Sequence, residues 1–167
     1  MNQQRMTTNE VLDAIARERQ RLWASVDALG AEAATIPVTD EGWTAKDVLA
    51  HLIHWLGQVA FGLGAQLQPP AYVTAVAGRP GGDEWNALAV EHYRDVPLDE
   101  VRAEFERLVD ALVVRARLRT DDEINGTDAI AWAPGRPLWD FIGGDTFLHW
   151  PLHSDAIERA GRSATSS

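Results

Sequence analysis

Apolar residues recur every three or four positions over most of the chain, and four long stretches carry the pattern. In the first, Val11, Leu12, Ile15, Leu22, Trp23, Val26 and Leu29 fall on one face of a 3.6-residue helix. Thr7 precedes this face with Glu10 three residues on, the spacing of a capping box, and Gly30 supplies a stop. In the second, Thr44 and Asp47 repeat the capping spacing ahead of Val48, Leu49, Leu52, Ile53, Trp55, Leu56, Val59, Leu63 and Leu67, and Pro69-Pro70 ends the run. The third carries Leu98, Val101, Phe105, Leu108, Val109, Leu112 and Val113, with Pro97 where a first helical turn tolerates proline. The fourth pattern predicts one helix from about Leu138 to Ala160. A shorter helix is expected from about Asp83 to Arg94, and no segment reads convincingly as a strand.

The connections read as loops at 35–43, at 69–82 and, with polar turn composition, at 121–136. The stretch from Pro69 to Gly82 is the longest irregular segment, and such loops are often functional. The expected fold is all-α: an up-down four-helix bundle with a short extra helix in the long connection between helices two and three. Residues 1–161 are expected to form one domain, and the small polar residues 162–167 a disordered tail.

Composition narrows the chemistry. The chain has 167 residues, 24% of them charged and 46% hydrophobic, which fits one globular domain and excludes disorder over most of its length. It has no cysteine, so a disulfide framework, a thiolate zinc site, an iron–sulfur cluster and a cysteine nucleophile are all excluded. Any metal must be held by His, Asp or Glu, and any thiol must come from outside. The balance of 15 basic and 25 acidic residues gives −10, which argues against nonspecific nucleic-acid binding. Nothing approaches the ~18–20 apolar residues of a membrane span, and Met1 to Thr8 lacks the apolar run of a signal peptide. A cytoplasmic location is the expectation.

Candidate chemistry centres on the five histidines: His51, His54, His92, His149 and His153. His149 and His153 stand four residues apart, about 40° around a helix at ~100° per residue, so both rings project from one face. That is how a helix offers two nitrogens to one metal. His51 lies inside the apolar stripe of the second helix, and bundle metal sites are built from inward residues of facing helices. Three imidazoles would leave zinc an open position. The competing reading is that these are hydrogen-bonded core histidines. Pro151, between His149 and His153, implies either a kink or a departure from ideal spacing. Gly143-Gly144 weakens the same helix or lets elements approach closely.

Around these, His54 is either a group supporting the metal ligands or a boundary residue, and His92 reads as structural. Asp145, four residues before His149, is either an orienting carboxylate or a solvated acid. Several tryptophans, Trp43, Trp55, Trp85, Trp132, Trp139 and Trp150, fall near helix ends or beside histidines. Core packing accounts for most of them, with an aromatic-lined pocket as the functional alternative. GRPGGDE lacks the ending of a phosphate loop, and no G-x-S-x-G elbow occurs.

The segment GWTAKDVLAHLIHW at 42–55 resembles the second-helix signature of the DinB superfamily, W-x-x-x-D-x-x-x-H. FLHWPLH at 147–153 resembles that superfamily's H-x-x-x-H on the fourth helix. Residues 83–106 and 132–146 resemble more narrowly the ClbS/DfsB group. The resemblance implies a four-helix bundle and a divalent metal, zinc or nickel, held at positions that fall on His51, His149 and His153. It implies thiol-dependent S-transfer or isomerisation with mycothiol or bacillithiol. The narrower group implies hydrolytic opening of the cyclopropane of a DNA-alkylating natural product.

The resulting expectation is a metal-assisted hydrolase or thiol transferase acting on an electrophilic metabolite or toxin, in self-protection. The alternatives are a non-catalytic protein that sequesters a hydrophobic small molecule and a mycothiol-dependent isomerase-like enzyme. His51, His54 and Asp145 are the candidate catalytic residues; Trp55, Trp85, Asn86, Trp139 and Trp150 are the candidate substrate contacts. The expected partner is a small molecule, with neither nucleic acid nor membrane; a homodimer is compatible with the sequence.

Overall fold

The computed structural model describes residues 4–65, 67–75 and 80–164. Among them the secondary structure is helical throughout, in eight α-helices and one 3₁₀ turn. The long elements are α1 (Thr8–Leu29), α2 (Ala45–Gly62), α5 (Leu98–Arg117) and α8 (Trp150–Ala164). The short ones are α3 (Ala71–Ala75), α4 (Gly82–His92), α6 (Asp121–Asn125) and α7 (Leu138–Gly144). No helix is long and apolar enough among the described residues to cross a membrane.

Both anticipated capping boxes form. The Thr7 hydroxyl accepts from the Glu10 N–H at 3.2 Å while the Glu10 carboxylate accepts from the Thr7 N–H at 2.7 Å. Thr44 and Asp47 do the same at 3.2 and 2.9 Å. Each box satisfies two of the amide donors that a helix start leaves without partners. A third box, Thr120 with Glu123, starts α6 inside the stretch expected to be only polar turn.

The four long helices form the bundle, with α1 packed on α8 and α5, and α2 packed on α5. Val11, Ile15, Leu22, Leu49, Leu52, Leu56, Phe105, Leu112, Trp150 and Ile157 are fully buried between them. Helix α4 lies across α2 outside this core, with Ala89 its one buried residue.

Three expectations are corrected. First, α2 ends at Gly62, short of Leu67, because Gly64 at φ +79° turns the chain. Second, the last predicted helix is two. The chain leaves α7 at Gly144 and runs through turns at 145–149 before α8 begins. Close packing fixes this joint: a Cβ on Gly143 would stand 2.7 Å from the Phe147 ring. Pro151 thereby falls in the first turn of α8, where its missing N–H leaves no bond unmade, so no mid-helix proline has to be accommodated. Third, α8 continues through Arg162 and Ser163 to Ala164, into the stretch expected to be a tail. Residues 165–167 lie outside the described ones.

Candidate metal centre

His51 comes from the middle of α2, His149 from the residue just before α8, and His153 from the first turns of α8. Their side chains converge: one nitrogen from each lies within 4.8 Å of the others. The Nε2 atoms of His149 and His153 are 3.0 Å apart, and those of His51 and His149 3.5 Å. Two nitrogens bound tetrahedrally at ~2.0–2.1 Å from a zinc ion would sit about 3.3–3.4 Å apart. The observed spacings bracket that value.

Hydrogen bonding sets the direction of the His51 lone pair. The His51 Nδ1–H donates to Asn86 Oδ1 at 2.8 Å, and the Trp55 Nε1–H donates to the same oxygen at 2.9 Å. An amide oxygen accepts only, so His51 carries its proton on Nδ1 and turns a bare Nε2 toward His149. Electrostatics keeps all three rings neutral. Burial pushes His51 down to about 4, with His149 and His54 adding to the effect against the opposing bond to Asn86. Burial pushes His153 down to about 3, again with its neighbours' help, and lowers His149 as well. Three neutral imidazoles facing one another cannot all satisfy their inner nitrogens with one another's protons. A cation among them would, and the donor set suits zinc, nickel or another borderline metal ion.

The remaining sequence candidates separate into three groups. Asn86 and Trp55, expected as substrate contacts, are joined to His51 by the bonds just described. His54 points elsewhere: its Nδ1 is 3.0 Å from the Tyr72 hydroxyl, and its ring stacks on Trp85 at 4.9 Å between centroids. Burial pushes His54 down to about 4. Tyr72 carries no signal in the sequence, since it lies in the long connection with no periodic pattern around it.

The third group is corrected by the structure. Trp150 is fully buried against Phe105 at 5.4 Å, and Trp139 is 9% exposed within the core, so both pack the bundle rather than line a pocket. Asp145 caps the end of α7 and hydrogen-bonds none of the histidines among the described residues. Burial pushes its carboxyl up to about 6 against the pull of Arg136. Among the described residues it is Asn86, not Asp145, that hydrogen-bonds one of the three histidines. One sign of this was available: Asn86 lies three residues before Ala89, the position by which α4 packs.

A family model described as mycothiol maleylpyruvate isomerase N-terminal domain matches residues 15–142. The matched stretch contains His51 and Asn86 and stops short of His149. An uncharacterised protein from Escherichia coli UTI89 has a similar structure, at TM-score 0.71 and 17% identity, over 95% of each chain. A protein from Streptococcus pneumoniae is similar at TM-score 0.71 and 14% identity, over 95% of this chain and 92% of that one. At these identities the likeness concerns the fold. No curated protein matches.

Proposed function

We propose a thiol-dependent, metal-assisted function for this chain, which belongs to the mycothiol maleylpyruvate isomerase N-terminal domain family, a DinB-like all-helical family. In this reading His51, His149 and His153 hold one divalent ion, zinc or nickel. A low-molecular-weight thiol of the mycothiol type is the cosubstrate, and an electrophilic small molecule is isomerised or receives the sulfur. The convergence of three neutral imidazole nitrogens, one of them oriented by Asn86, carries the proposal.

A bound divalent ion supplies Lewis acidity, which makes a thiol acidic enough to react as thiolate near neutral pH. The protein's own residues do the rest. Asn86 fixes the His51 tautomer, and burial keeps the histidines unprotonated so that their lone pairs are free at neutral pH. Three protein ligands leave a tetrahedral ion one open position. The thiol must come from solution because the chain has no cysteine. The narrower likeness to the ClbS/DfsB group, and the hydrolytic self-protection it implies, rest on residues 83–106 and 132–146 alone.

Tag-free protein should contain roughly one equivalent of zinc or nickel by elemental analysis, lost in His149→Ala/His153→Ala. Loading with Co(II) and adding mycothiol should produce a near-ultraviolet sulfur-to-cobalt charge-transfer band. A metal content unchanged in the double variant would sink the metal reading. A cobalt protein whose spectrum ignores mycothiol would sink the thiol reading and leave the metal.

A further inference from the structure

The three converging imidazoles differ in what meets the ring nitrogen that faces away from the cluster. For His51 that atom is Nδ1, whose proton goes to Asn86 at 2.8 Å. For His153 the outer Nδ1 is not left buried without a partner. For His149 it is: Nδ1 is buried and meets neither donor nor acceptor among the described residues. His149 also precedes α8, whereas His51 and His153 lie inside helices.

These partners bear on where each ring keeps its proton. His51 turns a bare Nε2 toward the His149 Nε2 at 3.5 Å. Were the His149 Nε2 bare as well, two lone pairs would face each other across that gap. Its proton would then sit on Nδ1, a buried donor with no acceptor. A proton on His149 Nε2 removes both faults, since it faces the His51 lone pair and donates to His153 Nε2 at 3.0 Å. His153 then carries its own proton on Nδ1. The arrangement with the fewest faults places one proton among the three inner nitrogens, on His149.

A metal ion asks different things of each ring. Binding through Nε2 requires the proton on Nδ1, which suits His51 and His153 as they stand. His149 has to move its proton to Nδ1, where nothing accepts it. An imidazole ligand without an orienting partner costs a site about 10–100-fold in affinity.

We propose, on the metal reading above, that His149 is the exchangeable ligand of the centre. His51 and His153 hold the ion, and His149 yields its position when the thiol enters. The exchange breaks the bond from Nε2 to the metal, forms one from sulfur to the metal and releases the thiol proton to solvent. His149 returns to its Nε2–H tautomer with no net proton taken up. The position that three ligands leave open then stays free for the electrophile.

Ring-nitrogen NMR of the full chain, with His149 assigned through His149→Gln, tests this with zinc and mycothiol as probes. In the metal-free protein His149 should show the Nε2–H pattern, and His51 and His153 the Nδ1–H pattern. Competition for zinc against a chromogenic chelator should find His149→Ala weakened about 10–100-fold less than His51→Ala or His153→Ala. Adding mycothiol to the zinc-loaded protein should return the His149 signals to their metal-free positions, while those of His51 and His153 keep their metal-bound shifts. An Nδ1–H tautomer at His149 in the metal-free protein overturns the proposal. So does a loss in His149→Ala as large as in the other two, or a His149 that keeps its metal-bound shift while mycothiol saturates the site. If the unaltered protein binds no zinc, or its ring signals ignore mycothiol, the reading beneath fails and takes the exchange with it. Should an alanine variant not fold by circular dichroism, the ring spectra of the unaltered protein decide alone.

Discussion

His51 and Asn86 are joined by a 2.8 Å hydrogen bond that links the middle of α2 to α4 and leaves the inner nitrogen of His51 bare. Because the same amide oxygen also takes the Trp55 indole proton at 2.9 Å, Asn86 is held from two sides. Its position is fixed from both sides, as the proposed metal centre would require of a group that orients His51.

Truncating that amide should therefore act on the metal before it acts on the fold. Asn86→Ala is expected to weaken metal affinity by about 10–100-fold, the usual cost of losing an orienting partner. Asn86→Asp keeps the acceptor and should retain affinity. Competition against a chromogenic chelator measures both. Equal affinities in Asn86→Ala and the unaltered protein would remove Asn86 from the site.

The metal-free protein should lose stability in mild acid. His51 and His54 are pushed down to about 4 and His153 to about 3, all below the ordinary 6.5. Between about pH 6.5 and 4 the unfolded chain therefore binds more protons than the folded one, and stability falls as pH falls. Each histidine contributes a loss of order 1–2 kcal/mol by pH 5. Asp145, raised to about 6, works the other way: protonation relieves its burial as pH drops through 6. One carboxyl against three imidazoles leaves the net sign with the histidines. Urea unfolding at pH 7.5 and pH 5 checks it, and a flat profile would contradict the neutral, buried cluster.

Gly57→Ala should raise stability by about 0.5–1 kcal/mol, because the added methyl meets nothing and the helix gains propensity. Chemical denaturation is sufficient to see it. A loss would mean that the space beside Gly57 is not open.

Trp150→Ala should cost about 3–5 kcal/mol, as expected for emptying a fully buried aromatic site. Trp85, half-buried and stacked on His54, should cost distinctly less when replaced by Ala. Thermal unfolding of the two variants distinguishes a core tryptophan from a boundary one.

Much of this architecture was legible in the sequence. The Thr7 and Thr44 caps, the apolar faces of α1, α2 and α5, and the His149–His153 spacing are all local patterns, and local patterns survive folding here. The turn at Gly64 and the start of α6 carried readable signals too, a glycine and a Thr–Glu capping spacing. What stayed hidden was tertiary. Nothing local distinguishes Trp150 in the core from Trp85 beside His54. That Asn86, rather than Asp145, reaches a histidine depends on how α4 crosses α2. The break after Gly144 was half visible: the Gly143-Gly144 pair and Pro151 each pointed to trouble in a continuous helix. The helical period across 138–160 outweighed them.

That break has a mechanical consequence. In one continuous helix, inserting or deleting a residue upstream of His153 would rotate everything beyond it by about 100°. The turns at 145–149 uncouple the two segments, so α7 and α8 share no common phase. A change of length within α7 would be met first by the close-packed joint at Gly143 and Phe147, not by the helix that carries His153. His149, on the last residue of the joint, is the member of the cluster whose placement belongs to neither rod.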